Sequence, residues 1–204
     1  MSLIPVMVDL NRRHVVIVGG GKIATRKMKL LKETGARITI VSPSIEAALQ
    51  SLQKNGDFIW KPKQFEKQDI ADADVIIVAT NDSEINQQVV EGAPCHALIN
   101  DTEDAERGNM TFPSFFRKGR LTVSTSTGGA SPSLAKMINQ KLQTLFDDEQ
   151  YEEYLDFLYD CRKLIKGSSL SKSEKIDFLR KLLDDEFKNK EKRRNLVETL
   201  KAKK

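Results

Sequence analysis

Cysteine and histidine are scarce in this chain. Two cysteines in 204 residues, Cys95 and Cys161, lie far apart in unlike contexts, so no disulfide framework is expected and a reducing cytoplasm is the simple reading. The two histidines, His14 and His96, do not stand at zinc-ligand spacing from a cysteine or from each other, and the adjacent Cys95–His96 pair suits no common site, so no metal is expected. No stretch approaches the roughly 20 uninterrupted apolar residues of a membrane helix, and no membrane association is expected. The amino terminus, Met-Ser-Leu-Ile-Pro-Val-Met-Val-Asp, lacks the basic start and long apolar core of a secretory signal. A formal net charge of +4 is too small to argue for nucleic acid. The basic run Lys188–Lys204 carries no interleaved aromatics, and with the acidic residues between Asp147 and Asp160 it reads as solvated helical surface.

The first half alternates between two periodicities. Val15-Val16-Ile17-Val18 is a β-branched run ending in three glycines and reads as a buried strand. From Lys22 to Glu33, Ala24, Met28 and Leu31 recur at helical spacing, with Gly35 as a stop. Arg37-Ile38-Thr39-Ile40-Val41 is a second strand, so this stretch predicts a βαβ unit with parallel strands. The alternation continues with a helix over 45–52, a short strand at 58–60, a central strand at 75–79, a helix over 83–90 and strands at 97–99 and 121–124. The pattern predicts an α/β fold: a doubly wound, Rossmann-type parallel sheet. After Pro113 the grammar changes. Ser131-Pro132 opens a helix with Leu134, Ile138, Leu142 and Leu145 as its apolar stripe. Beyond Asp147 everything reads as helix, with faces Tyr154, Phe157, Leu158, Cys161, Ile165 and Ile176, Leu179, Leu182, Leu183 separated by Gly167-Ser168-Ser169. Three segments are expected: 1–113, a cofactor-binding α/β domain; 114–146, a dimerisation and substrate-cleft segment; and 147–204, a small all-helical domain.

Gly19-Gly20-Gly21-Lys22-Ile23-Ala24 fits G-x-G-x-x-A, directly after a strand and opening a helix. In that context Gly19 allows the tight turn, Gly21 lets the backbone approach a pyrophosphate, and Ala24 lets helix and sheet pack closely. The helix N-terminus then presents backbone N–H groups to the anion. The acidic residue expected after the second strand, which would hold the adenine ribose, is absent; Ser42, Pro43 and Ser44 stand there, and no arginine offers itself to a 2′-phosphate. The cofactor reading is therefore NAD, with Ser42 or Ser44 as neutral ribose partners and preference over NADP left open. Thr80 and Asn81, at the carboxyl end of the strand 75–79, can touch the nicotinamide half.

Several motifs occur together in one order: Val18 to Lys27, Ala79-Thr80-Asn81-Asp82, Asn86-Gln87, Asn100 with an acidic pair at 103–104, Phe112-Pro113-Ser114, and Ser126-Thr127-Gly128-Gly129-Ala130-Ser131-Pro132-Ser133-Leu134-Ala135. Through them, over about residues 1–146, the chain resembles the precorrin-2 dehydrogenase module of siroheme synthesis, which occurs alone or fused ahead of a methyltransferase. The resemblance implies NAD-dependent dehydrogenation of precorrin-2 to sirohydrochlorin, a homodimer that exchanges its middle helical segment, and a cleft between domains. A chain of 204 residues leaves no room for the methyltransferase, so the stand-alone form is expected. The many carboxylates of that substrate call for cations and helix N-termini. Arg107, Arg117, Lys118, Arg120 and Lys136 lie around the second glycine motif, whose Ser124, Ser126, Thr127, Gly128 and Gly129 offer further donors. The family's acidic residue falls at Glu103, where relatives usually carry aspartate, with Asp104 adjacent; either can act as general base. His14, just before the first strand, can face the same cleft, although a structural role is the plainer reading. The nearest rival is a bifunctional dehydrogenase and ferrochelatase, the change to Glu103 weighing against metal insertion. A more distant rival is an NAD-sensing regulatory module, which would keep the acid after the second strand.

Overall fold

A computed structural model of the chain describes residues 3–202. Met1 and Ser2 of the amino-terminal reading, and Lys203 and Lys204 of the basic run, lie outside the described residues. The chain divides into two compact units, Met1–Phe112 and Pro113–Lys204.

In the first unit, β1 (His14–Val18), β2 (Arg37–Val41), β3 (Ile59–Lys61), β4 (Val75–Val78) and β5 (Leu98–Asp101) form a parallel sheet in the order β3-β2-β1-β4-β5. Its helices are α1 (Lys22–Leu31), α2 (Ala47–Lys54) and α3 (Ser83–Gly92). The central strands show why their sequences run apolar without alternation: both faces are covered. Val15 and Ile17 of β1 pack with Met28, Leu31 and Leu49 of α1 and α2, while Val16 and Val18 pack with Ile70 and with Val89 of α3. A side chain such as Met28, fully buried, contributes about 1.5–3 kcal/mol through the area it removes from water. The register aligns Val15 with Val75 and Val18 with Val78. Chain order reverses between β1 and β4, and a doubly wound sheet opens its ligand crevice at the carboxyl ends of such a pair.

The second unit holds β6 (Ser114–Lys118), β7 (Leu121–Thr125), α4 (Pro132–Leu145), α5 (Glu149–Lys166), α6 (Lys172–Lys181) and α7 (Lys190–Ala202). The strand expected at 121–124 does not join the parallel sheet; it is β7, paired antiparallel to β6. The sequence shows no strand at β6, because Phe115 and Phe116 are adjacent and charges follow, so no period of two is visible. Asn139 of α4 is buried and joins helix to hairpin: its amide donates to Ser114 Oγ at 2.9 Å and its carbonyl accepts from Thr125 Oγ1 at 2.7 Å.

That contact corrects the expected stripe of α4. Ala135 and Asn139 face inward, whereas Leu134 and Leu145 are 42% and 69% exposed. The face of α5 falls as anticipated, Phe157, Cys161 and Ile165 being buried with Tyr154 and Leu158 against them. On α6 and the turn after it, Leu182 is buried and Phe178 and Leu179 pack beside it, while Ile176 and Leu183 point outward. Within the basic run, Lys190 pairs with Glu153 and Lys192 with Glu186 at the surface, whereas Arg193 is buried and Leu196 and Val197 pack on the helical core.

Candidate active site

Helix α1 begins without a side-chain cap at Gly21 and without an acidic residue in its first turn. By contrast α3, α4, α5 and α6 are capped by Asp82, Ser131, Asp148 and Ser171. The first N–H groups of α1 thus keep their hydrogen-bonding capacity and their share of the helix dipole for an outside acceptor. Gly21, the residue before the helix, lines a cavity of about 390 Å³ at the switch point between β1 and β4.

The glycine turn is shaped from both sides. Gly19 has φ +121° and donates its N–H to Val41 O at 2.9 Å; a Cβ there would lie 2.2 Å from Ala79 O. A Cβ at Gly20 would lie 2.1 Å from Ser44 O. At Gly21 an added Cβ meets nothing within 4 Å. The close approaches inside the protein are therefore made at Gly19 and Gly20, and Gly21 faces open space. Ala24 is fully buried against the sheet, as its place in the motif predicts.

Ser42, Pro43 and Ser44 line the cavity, as do Thr80 and Asn81. The Ser42 hydroxyl donates to Ser44 O at 2.7 Å, and Thr80 Oγ1 donates to Asn86 Oδ1 at 2.6 Å, so both hydroxyl protons already have acceptors. Lys22 and Ile23 do not line the cavity; they follow Gly21 in the first turn of α1. Sequence reasoning missed Glu46, Gln64, Phe65 and Ile85 in the lining. They lie outside the spacing of the glycine motif, at strand ends and helix starts that only the folded sheet brings together. Uncapped N–H groups, a glycine facing open space and a cavity large enough for a dinucleotide's phosphates and ribose fit a bound NAD at this edge.

Beyond β5 lies an ion-pair cluster. Buried Asp101 accepts the N–H groups of Glu103 and Asp104 at 2.9 and 3.2 Å, and its other oxygen stands 2.9 Å from Arg107 Nε. The Glu103 carboxylate accepts from Ser83 Oγ at 2.5 Å, Asn86 Nδ2 at 2.9 Å and Arg107 at 2.7 Å. These bonds, Ser83 first, pull its pKa down to about 2. Asp104 accepts from the N–H of Glu106 at 2.9 Å and begins the 3-10 turn Ala105–Arg107. Arg107 thus belongs to this cluster in the first unit. His14 opens β1 at the opposite, amino edge of the sheet, with Nε2 3.0 Å from Thr39 Oγ1 and Nδ1 3.1 Å from Asp72; it does not line the cavity.

In the second unit, Gly128 and Gly129 have φ +60° and +88°, and Ala130 N–H closes the turn onto Thr127 O at 3.1 Å. Positive φ at both central positions favours glycine. The turn consumes much of its own donor supply: Gly128 N–H bonds Ser126 Oγ and Ser131 N–H bonds Thr127 Oγ1. Ser131 Oγ in turn caps α4 through Leu134 N–H. The hairpin register places Ser114 opposite Thr125 at the glycine end and Lys118 opposite Leu121 at the other. At about 3.3 Å per residue, Lys118 and Arg120 lie roughly 13 Å or more along the ladder from the glycine motif they approach in sequence. Lys118 pairs there with Asp147 at 3.5 Å, and Arg120 with Asp156 at 2.6 Å, its guanidinium 3.6 Å over the Tyr159 ring. Arg117 Nε lies 3.4 Å from Thr122 Oγ1 on the neighbouring strand. Ser124 and Lys136 are exposed on β7 and α4.

Residues 6–114 match the family described as "Putative NAD(P)-binding", and residues 151–196 match the SirC C-terminal domain. A precorrin-2 dehydrogenase of Priestia megaterium is 39% identical over 183 residues, 90% of each chain. A siroheme synthase of Zymomonas mobilis is 38% identical over 146 residues, 71% of this chain but 31% of that protein. Among solved structures, one of SirC, precorrin-2 dehydrogenase, superposes with a TM-score of 0.83 at 36% identity, covering 98% of this chain and all of the other.

Proposed function

The chain belongs to the precorrin-2 dehydrogenase family, and from that premise we propose a division of labour among its residues. The protein is an NAD-dependent oxidoreductase that converts precorrin-2 to sirohydrochlorin. The observation that carries its cofactor site is the uncapped start of α1 opening on the cavity at the switch point. Bound there, NAD supplies the acceptor for hydride, so the protein's own task is to hold and orient. The N–H groups of Gly21, Lys22 and Ile23 hold the pyrophosphate, Ser44 reaches the ribose side, and Asn81 and Thr80 border the nicotinamide side.

One hydride and one proton leave the substrate. A base with a pKa near 2 is a weak acceptor at neutral pH, so Glu103 is read as an anchor that orients Arg107 and the 100–107 loop. Asp104, bonded only at the start of its 3-10 turn and at the rim of Arg107, is the better-placed acceptor, with water as the alternative carrier. Ser124, Ser126, Thr127, Gly129 and Lys136 are assigned to the substrate carboxylates. Arg107 and Arg120, each already on a carboxylate, are not. With Glu103 tied by three donors, and glutamate standing where relatives usually carry aspartate, the reading is dehydrogenation alone.

Residues 114–146 are read as the segment that pairs with a second copy, and 147–204 as a helical domain. Support for a homodimer comes from the apolar residues that α4 leaves exposed. A cytoplasmic site of action is supported by free Cys95 and Cys161.

Incubation with precorrin-2 and NAD should give sirohydrochlorin, followed by its absorbance, with NADP the slower partner. Sirohydrochlorin with ferrous iron should give siroheme no faster than the uncatalysed control. No turnover of precorrin-2 with either cofactor would defeat the assignment.

A further inference from the structure

The acid missing after β2 has a substitute. Of the residues lining the cofactor cavity, Glu46 alone is charged, and neither lysine nor arginine is among them. Glu46 stands just before α2, five residues past the end of β2, too late to match the usual spacing. The fold nevertheless holds it against the glycine turn. Its N–H donates to Gly20 O at 2.9 Å, and the neighbouring Ser44 O presses on Gly20. Its carboxylate lies 3.4 Å from Thr25 Oγ1, whose hydroxyl also reaches Gly21 O at 3.1 Å. The side chain is thus positioned between the end of β2 and the first turn of α1, the region where an adenine ribose meets a doubly wound sheet.

We infer that Glu46 is the residue that selects NAD over NADP. Its carboxylate accepts the ribose hydroxyls of NAD and repels the 2′-phosphate of NADP, for which the cavity offers no cation. This rests on the reading of the cavity as the cofactor site. A charged hydrogen bond lost on one side and a like-charge clash on the other should each move affinity by about tenfold.

Titration of the protein with NADH and with NADPH, without substrate and followed by cofactor fluorescence, tests the assignment. Wild type should bind NADH about tenfold or more tightly than NADPH, and the gap should narrow as salt screens the repulsion. Glu46→Gln should bind NADH less tightly and NADPH more tightly, bringing the two within about threefold, while Glu46→Asp keeps most of the preference. A preference unchanged in Glu46→Gln, or a wild type that does not favour NADH, overturns the role of Glu46 and leaves the cavity reading standing. Failure of wild type to bind either cofactor overturns the cavity reading itself. Should Glu46→Gln lose its cooperative melt, Glu46→Ala takes its place: a narrowed gap supports the role of Glu46 and an unchanged one overturns it.

Discussion

A methyl group added at Gly21 enters open space, whereas the same group at Gly20 meets the carbonyl oxygen of Ser44 at 2.1 Å. The two neighbours should therefore fail in different ways. Gly21→Asp should keep a normal thermal transition and lose NAD affinity by more than about tenfold, measured by calorimetry, because bulk and negative charge occupy the pyrophosphate position. Gly20→Ala should lower stability by about 1–3 kcal/mol in urea unfolding, because backbone must move to admit it. Glu103 makes a prediction in pH. Its pKa falls from an ordinary 4.5 to about 2 on folding, so its bonds stabilise the protein fully above pH 4.5. That contribution fades as pH falls through this window and is gone below about 2. The melting-temperature gap between wild type and Glu103→Gln should be constant near neutrality and close between pH 4.5 and about 2. A gap that persists at pH 2 would show that the three donors do not act on the ionised form.

Among the elements, α4 joins the most roles in one helix. Ser131 caps it, Pro132 opens it, the glycine turn before it has a backbone that side chains resist, and Asn139 ties it to both strands of the hairpin. Ser131→Ala should cost about 1 kcal/mol by removing the acceptor for Leu134 N–H, read from chemical unfolding. Such elements were unevenly legible in the sequence. The strands β1, β2 and β4 announced themselves as β-branched runs because burial on both faces favours apolar residues throughout, buried Thr39 and His14 being satisfied by each other. The cap of α4 was legible because serine before proline has a local meaning. Its inward face was not, since Asn139 is buried by virtue of partners 14 and 25 residues away. The cofactor turn could be read for the same local reason as the cap. Glu46, Gln64 and Phe65 could not, because their place in the lining depends on strand order.

For the molecule as a whole, the exposed apolar side chains of α4 bear on assembly. Leu134, Met137 and Leu145 fall on one side of the helix and are 42–69% exposed in the single chain. In the proposed homodimer a second copy covers that side. Met137→Glu combined with Leu145→Glu should shift sedimentation from dimer to monomer, while NAD binding, housed in the first unit, persists. A dimer that survives both changes would move the interface elsewhere.

The strand order also bears on the order in which the chain can assemble itself. In the register of the sheet, Arg37 sits beside His14 across 23 residues of chain, but Val75 reaches Val15 only across 60. Closing the longer loop costs about 0.8 kcal/mol more in chain entropy, before any contact rewards it. Early closure of the segment holding β1, α1 and β2 is favoured, and the glycine turn lies inside it. Ala79, Thr80 and Asn81, which wall the other side of the cavity, follow β4 and arrive with the later event. The capacity to retain a dinucleotide should therefore lag behind the first βαβ unit during refolding, making cofactor capture a clock for completion of the sheet.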